Sequence, residues 1–228
     1  MNFINKFIDI VLHLDKYLGV LINNYSIWVY VILFLIILLE TGLVVTPFLP
    51  GDSVIFASAT FAALGALNIF VIMISFIFAA IIGDTMNYNI GKYLGRKLLE
   101  KKDSKFIKKE YIDKTNEYYD KYGGKTIVIA RFVPIVRTFA PFVAGIGSMK
   151  YKEFIYYNAL GGILWVFLIS ILGYFFGNIP VVAKNFSIVI IGIIIVSILP
   201  ALIGVFKGKK SSSESIEWLF KLAQVWYL

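Results

Sequence analysis

The run from Ala130 to Gly145 sets two arginines, Arg131 and Arg137, and two prolines, Pro134 and Pro141, in a stretch otherwise as apolar as a membrane span. Arginine at bilayer depth costs about 2.5–3.5 kcal/mol on insertion scales. Proline removes a backbone donor, which lipid tolerates only where protein or water satisfies the freed groups. The segment therefore reads as a broken, re-entrant hairpin lining a polar cavity, with its guanidinium groups aimed at something anionic. Arg131 and Arg137 are six apart, so a straight helix would not put them on one face, but they can converge across a proline break. The planar donors of arginine pair bidentately with carboxylate or phosphate oxygens.

Three carboxylates stand in comparable settings. Glu40 ends an apolar run that starts at Ile27, and Asp52 follows the corner Pro47-Phe48-Leu49-Pro50-Gly51. Asp84 follows Gly83 at the end of another apolar run. Glu40, embedded at the end of its run, is the better proton carrier. Asp52 reads equally as its partner or as the N-cap of a helix over 53–66. Asp84 reads as structural, near a span end where it can reach water. The alternative for the charged set is a permanent lattice in which Glu40 and Asp52 neutralise Arg131 and Arg137. Asn158 reads as helix–helix glue, and Tyr151, Tyr156, Tyr157 and Trp165 as interfacial anchors.

The elements that must carry these groups follow from composition. The 228 residues are 59% hydrophobic with mean hydropathy +0.82, well above the near-half apolar content of a soluble domain, and the chain reads as an all-α integral membrane protein. There is no cysteine and a single histidine, His13, which removes disulfides, thiolate metal sites, histidine-metal clusters and a Ser-His triad. No catalytic residue, metal or cofactor is expected. The net charge of +8 is concentrated: positions 92–125 hold 11 of the 22 Lys and Arg against 6 Asp and Glu. That makes the loop 92–124 cytoplasmic by the positive-inside rule, and basic residues flanking spans argue against nucleic acid as a partner.

In order, the stretch 2–20 has the spacing of an amphipathic helix, lying in the interface or packing against the bundle, and it does not read as a cleaved signal. A first hairpin is expected over about 26–66 and a second over 125–148, with the break from Pro134 to Arg137. Spans are expected over about 69–91, 154–177 and 181–206, with Lys207, Lys209 and Lys210 bringing the C-terminal end back to the cytoplasm. A surface helix is expected over 104–121. Residues 1–210 make one transmembrane domain, and the tail 211–228 reads as an interfacial helix or as an addition foreign to the domain. Hairpin-then-span occurs twice, acidic the first time and basic the second, which is the inverted-repeat plan of secondary transporters. Gly83, Gly91 and Gly95 form a small-residue face that would serve a homo-oligomer or an intramolecular contact equally well.

Glu40 with Pro47-Phe48-Leu49-Pro50-Gly51-Asp52, Gly83-Asp84 with Tyr88, and Arg131-Phe132-Val133-Pro134-Ile135-Val136-Arg137-Thr138 with Pro141, Gly145, Asn158 and Trp165 together resemble the DedA family of bacterial membrane proteins. The resemblance covers about residues 20–205. It implies a protein of the bacterial cytoplasmic membrane with two opposed re-entrant hairpins, and transport that depends on the proton motive force. It also implies essential acidic residues at Glu40 and Asp52 and essential basic residues at Arg131 and Arg137. The substrate class it implies is a lipid phosphate carrier such as undecaprenyl phosphate, with phosphatidylethanolamine as another lipid that members handle. The leading expectation is a translocase whose arginines hold the phosphate while Glu40 and Asp52 exchange protons. The rivals are a proton-coupled antiporter of a small cation or osmolyte, and a phospholipid flippase or scramblase.

Overall fold

The computed structural model describes residues 14–25, 27–43, 51–100, 123–132, 134–147, 149–177, 179 and 192. Pro47, Pro50, the expected surface helix 104–121, the expected span 181–206 and the tail 211–228 lie outside the described residues. Every described element is a helix: α1 Leu14–Tyr25, α2 Trp28–Gly42, α3 Gly51–Ala63, α4 Ile69–Glu100, α5 Lys125–Ala130, α6 Pro134–Ile146 and α7 Tyr151–Gly177.

Length separates them into two kinds. At 1.5 Å per residue, α2 (15 residues) and α3 (13 residues) reach about 20 Å each, short of a hydrocarbon core of about 30 Å, and α6 matches α3. By contrast, Ile69–Tyr93 within α4 and all 27 residues of α7 are long and apolar enough to cross a membrane. Both have an inside-out pattern. Along α4, Phe70, Ile74, Phe78, Ile82 and Met86 recur at helical spacing and are exposed, whereas Ala79, Ala80, Asp84, Asn87 and Tyr88 are buried. Along α7, Phe154, Asn158, Gly161, Gly162, Trp165, Ser170, Gly173 and Gly177 face inward. Large apolar groups outside, with glycines and polar groups gathered on the inner face, are what lipid as a solvent selects.

The small residues set the helix pairings. On α2 and α4, Gly42 lies against Gly83, and the Tyr30 hydroxyl accepts the Asn68 N–H at 2.9 Å. On α4 and α6, Gly91 lies against Phe142, and Gly145 against the backbone of Tyr88. On α3 and α7, Gly173 meets Phe56 and Ala59, and Thr60 donates to the Gly173 carbonyl at 3.0 Å. On α5 and α7, Gly161 meets Val128, and the Gly124 N–H donates to Glu153 at 3.1 Å. The first short helix of each unit therefore packs on its own long helix (α2 on α4, α5 on α7). The second packs on the long helix of the other unit (α3 on α7, α6 on α4). Gly83 and Gly91 are thus spent on contacts within one chain.

Three expectations shift. The break after Ala130 begins at Arg131 and Phe132 rather than at Pro134–Arg137. Pro134 is the first residue of α6, the helix position where a missing N–H costs nothing, so Arg137 sits inside a helix. Pro141 is helical too; it cannot donate to the Arg137 carbonyl four residues back. At the N-terminal end, the described helix runs 14–25, and its Leu18 joins Val29, Leu33 and Val54 in the core, so this part packs against the bundle. Finally, α4 continues to Glu100, carrying helix into the start of the basic segment.

Candidate functional site

Five charged side chains converge between the long helices: Glu40 at the last turn of α2, Asp52 in the first turn of α3, Asp84 midway along α4, Arg131 at the C-cap of α5 and Arg137 in the first half of α6. Glu40, Asp84, Arg131 and Arg137 are each at most 8% exposed. The short helices deliver their charges at or near a helix end or break, where the chain can turn a polar group inward without abandoning an apolar outer face, whereas Asp84 comes from the middle of a continuous helix.

They form two ion-pair groups. In the first, Arg137 uses both terminal nitrogens: Nη1 donates to Asp52 Oδ1 at 2.7 Å and Nη2 to Glu40 Oε1. The same Glu40 oxygen accepts the Gly51 N–H at 3.1 Å, closing the corner between α2 and α3. In the second, Arg131 Nη2 pairs with Asp84 Oδ2 and also donates to Asn158 Oδ1. Asn158 in turn donates to the Ile81 carbonyl at 3.1 Å, which fixes which amide atom faces the guanidinium. The Arg131 side chain lies along α7 at Gly161 and Gly162, where side-chain atoms of Arg131 would sit 3.4–3.7 Å from an added Cβ.

Trp165 joins the two groups. Its indole N–H donates to Asp52 Oδ1 at 2.9 Å. Its ring carries the Arg137 guanidinium at 4.5 Å from the centroid and that of Arg131 at 5.9 Å, both within the range of cation–π attraction. At 2% exposure it is the largest fully buried side chain among the described residues, so it is no interfacial anchor, whereas Tyr156 is open at 65%. Asp84 differs likewise from its sequence reading. It is 4% exposed, lies mid-helix, and holds Arg131. Because Asp84 takes Arg131, Glu40 and Asp52 both serve Arg137 rather than one arginine each.

Neighbouring polar contacts brace the cluster. Asn87, fully buried, donates to the Thr138 carbonyl at 2.7 Å, one residue beyond Arg137. Tyr88 donates to the Met149 carbonyl at 2.6 Å, and Thr41 Oγ1 donates to the Ile37 carbonyl at 2.9 Å beside Gly83. Asn87 and the site role of Trp165 escaped the sequence reading. The available signal was periodicity: Asp84, Asn87, Tyr88 and Gly91, and Asn158, Gly161, Gly162 and Trp165, each trace one face of an apolar helix.

Three carboxylates against two guanidinium groups give the cluster a formal charge of −1 when all are ionised. Separating a buried pair costs about 3–5 kcal/mol, so either arginine can be released only as another anion or a proton arrives. Among the described residues no group of His, Cys, Asp and Glu could hold a metal ion.

The model of the VTT domain matches residues 49–175. Protein DedA of Escherichia coli K12 is 50% identical over 217 residues, spanning 94% of this chain and 99% of its own. An uncharacterized membrane protein of Mycobacterium leprae is 40% identical over 180 residues, 79% of this chain and 81% of its own. Inner membrane protein YqjA of Escherichia coli K12 is 32% identical over 155 residues, 68% and 70% of the two chains. No solved structure matches.

Proposed function

Since the chain belongs to the DedA family of VTT-domain membrane proteins, and since each of its two buried arginines is paired with acids that can take up protons, we propose that it translocates a lipid phosphate across the bacterial cytoplasmic membrane, driven by the proton motive force. The substrate is a polyprenyl phosphate, undecaprenyl phosphate being the natural candidate. The observation that carries this reading is Arg137, buried, with one nitrogen on Glu40 and another on Asp52. A fork of donors held in that way matches the oxygens of a phosphate monoester. A terpenoid tail needs no pocket, because it stays in lipid against apolar outer faces.

In this reading the four short helices form two re-entrant hairpins entering from opposite sides. The exchange of partners, with α3 on α7 and α6 on α4, supports it, because opposed repeats related by a two-fold axis would pack that way. Positions 92–124 and the C-terminal end face the cytoplasm. A proton reaching Glu40 loosens its hold on Arg137, the phosphate replaces it, and return of the proton on the other side ejects the lipid. Arg131, Asp84 and Asn158 form the second station. The protein acts as a transporter rather than an enzyme.

One observation favours a second reading. The formal excess of one carboxylate suits a cation, so a proton-coupled antiporter would use Glu40 and Asp52 as its ligands and the arginines as counter-charges. Arg137→Lys separates the two. A lysine is a point charge that cannot bridge two oxygen acceptors in fork geometry. In proteoliposomes the lipid-phosphate reading predicts loss of polyprenyl phosphate flipping in Arg137→Lys, with phosphatidylethanolamine unmoved by the wild type. Full retention of flipping would end it.

A further inference from the structure

Glu40 Oε1 accepts two donors, the Gly51 N–H at the first residue of α3 and the Arg137 Nη2. Its Oε2 is buried and has no partner among the described residues. The carboxylate stands so close to α3 that a Cβ on Gly51 would fall on it. α3 is 13 residues long, and the N-terminus of such a helix carries about half a positive charge together with free N–H groups, the ordinary setting for a phosphate. A helix N-terminus, a buried arginine fork and a glycine without a side chain therefore surround a carboxylate that leaves one of its own oxygens unsatisfied.

We propose that the Glu40 carboxylate is an internal stand-in for the substrate's oxyanion: it occupies an anion cradle made by the Gly51 N–H at the head of α3 and the Arg137 guanidinium, and a phosphate monoester enters that cradle as Glu40 leaves it. The inference rests on the lipid-phosphate reading above and sharpens it in two ways. The backbone of Gly51 becomes a substrate-binding group. Glu40 becomes a competitor of the substrate rather than one of its ligands. A carboxylate and a phosphate cannot share the cradle, because both are anions in a site of low dielectric where like charges repel strongly. Protonation of Glu40 removes the competitor, so proton uptake and phosphate binding become one event. Among the described residues, the charged groups around Glu40 are Arg137 from α6, Asp52 from α3, Asp84 from α4 and Arg131 from α5. Asp52 retains its own hold on Arg137 and on the Trp165 N–H, which keeps the guanidinium in place while Glu40 departs.

Titration calorimetry on the full-length protein in detergent tests this, with farnesyl phosphate as the lipid probe and inorganic phosphate as the head group alone. Glu40→Gln keeps the size of the side chain and cannot ionise. It is expected to bind farnesyl phosphate about tenfold more tightly than wild type at neutral pH, the worth of one charge-assisted hydrogen bond. Its affinity should be flat with pH where that of wild type rises on acidification. Inorganic phosphate should show the same ordering at lower affinity. Weaker binding by Glu40→Gln than by wild type would overturn the stand-in and leave the lipid-phosphate reading intact, whereas no binding of either probe to either protein would overturn both. Should the variant fail to fold, wild type alone decides. Repeating its titration in buffers of different ionisation enthalpy should reveal uptake of about one proton per ligand, and binding without proton uptake refutes the inference.

Discussion

The indole N–H of Trp165 and the Arg137 guanidinium meet on one atom, Asp52 Oδ1, at 2.9 and 2.7 Å. The same guanidinium lies over the indole face. Trp165 therefore fixes Arg137 from two directions, through its ring and through its hydrogen bond. Trp165→Phe keeps an aromatic face and loses the donor. A hydrogen bond to a charged group contributes about 1.5–3 kcal/mol, so transport should fall about tenfold with the melting temperature only modestly lowered. Trp165→Ala also opens a core cavity worth about 3–5 kcal/mol, which a thermal melt in detergent will register. Equal transport by wild type and Trp165→Phe would remove the indole N–H from the mechanism.

The Arg131–Asp84 pair allows structure and function to be separated. Asp84→Ala strands a buried guanidinium and should destabilise the fold by about 3–5 kcal/mol. Arg131→Met combined with Asp84→Leu replaces the pair by apolar groups of similar bulk, which is often neutral or stabilising. The double variant should melt near wild type yet transport nothing. If it transports at the wild-type rate, the pair is scaffolding.

Glycine substitutions probe the close helix approaches. A Cβ on Gly91 or Gly145 would run into the Phe142 or Tyr88 carbonyl, so Gly91→Ala or Gly145→Ala must push α4 and α6 apart. Because α6 carries Arg137 and α4 carries Asp84, both variants should lose transport and at least about 1–3 kcal/mol of stability, the ordinary cost of overpacking. Gly19 on α1 has nothing within 4 Å of an added Cβ. Gly19→Ala should be neutral or stabilise by up to about 1 kcal/mol, with normal transport, and serves as the control for expression and insertion.

Much of this molecule can be read from its amino acids, because lipid leaves little freedom. Arginine and proline inside an apolar run exclude a lipid-facing helix, and that alone locates the second broken segment. The Pro-Gly-Asp corner does the same for the first. Partner choice was harder to read. Nothing in the spacing of Glu40, Asp52 and Asp84 says that Arg137 takes two acids and Arg131 one, since that depends on which short helix crosses to the other unit. Asp84 looked like a span-end residue because Asn87, Tyr88 and Asn89 lower the hydropathy beyond it; the helix instead continues inward-facing through these polar positions. Trp165 was hidden by the general habit of tryptophan at membrane interfaces, which its stripe-mates Asn158, Gly161 and Gly162 override. The break was misplaced by three residues because Pro134 starts a helix as readily as it ends one.

The central claim is that a proton and a lipid phosphate exchange places at Arg137. Proteoliposomes loaded with polyprenyl phosphate and a trapped pH indicator test it most directly, with lipid flipping and proton movement followed together for wild type and Glu40→Gln. The account predicts that an imposed pH gradient drives flipping in wild type with accompanying proton flux, and that Glu40→Gln, which binds but cannot exchange the proton, moves neither. Polyprenyl phosphate flipping by wild type that ignores the gradient and survives Glu40→Gln would contradict it.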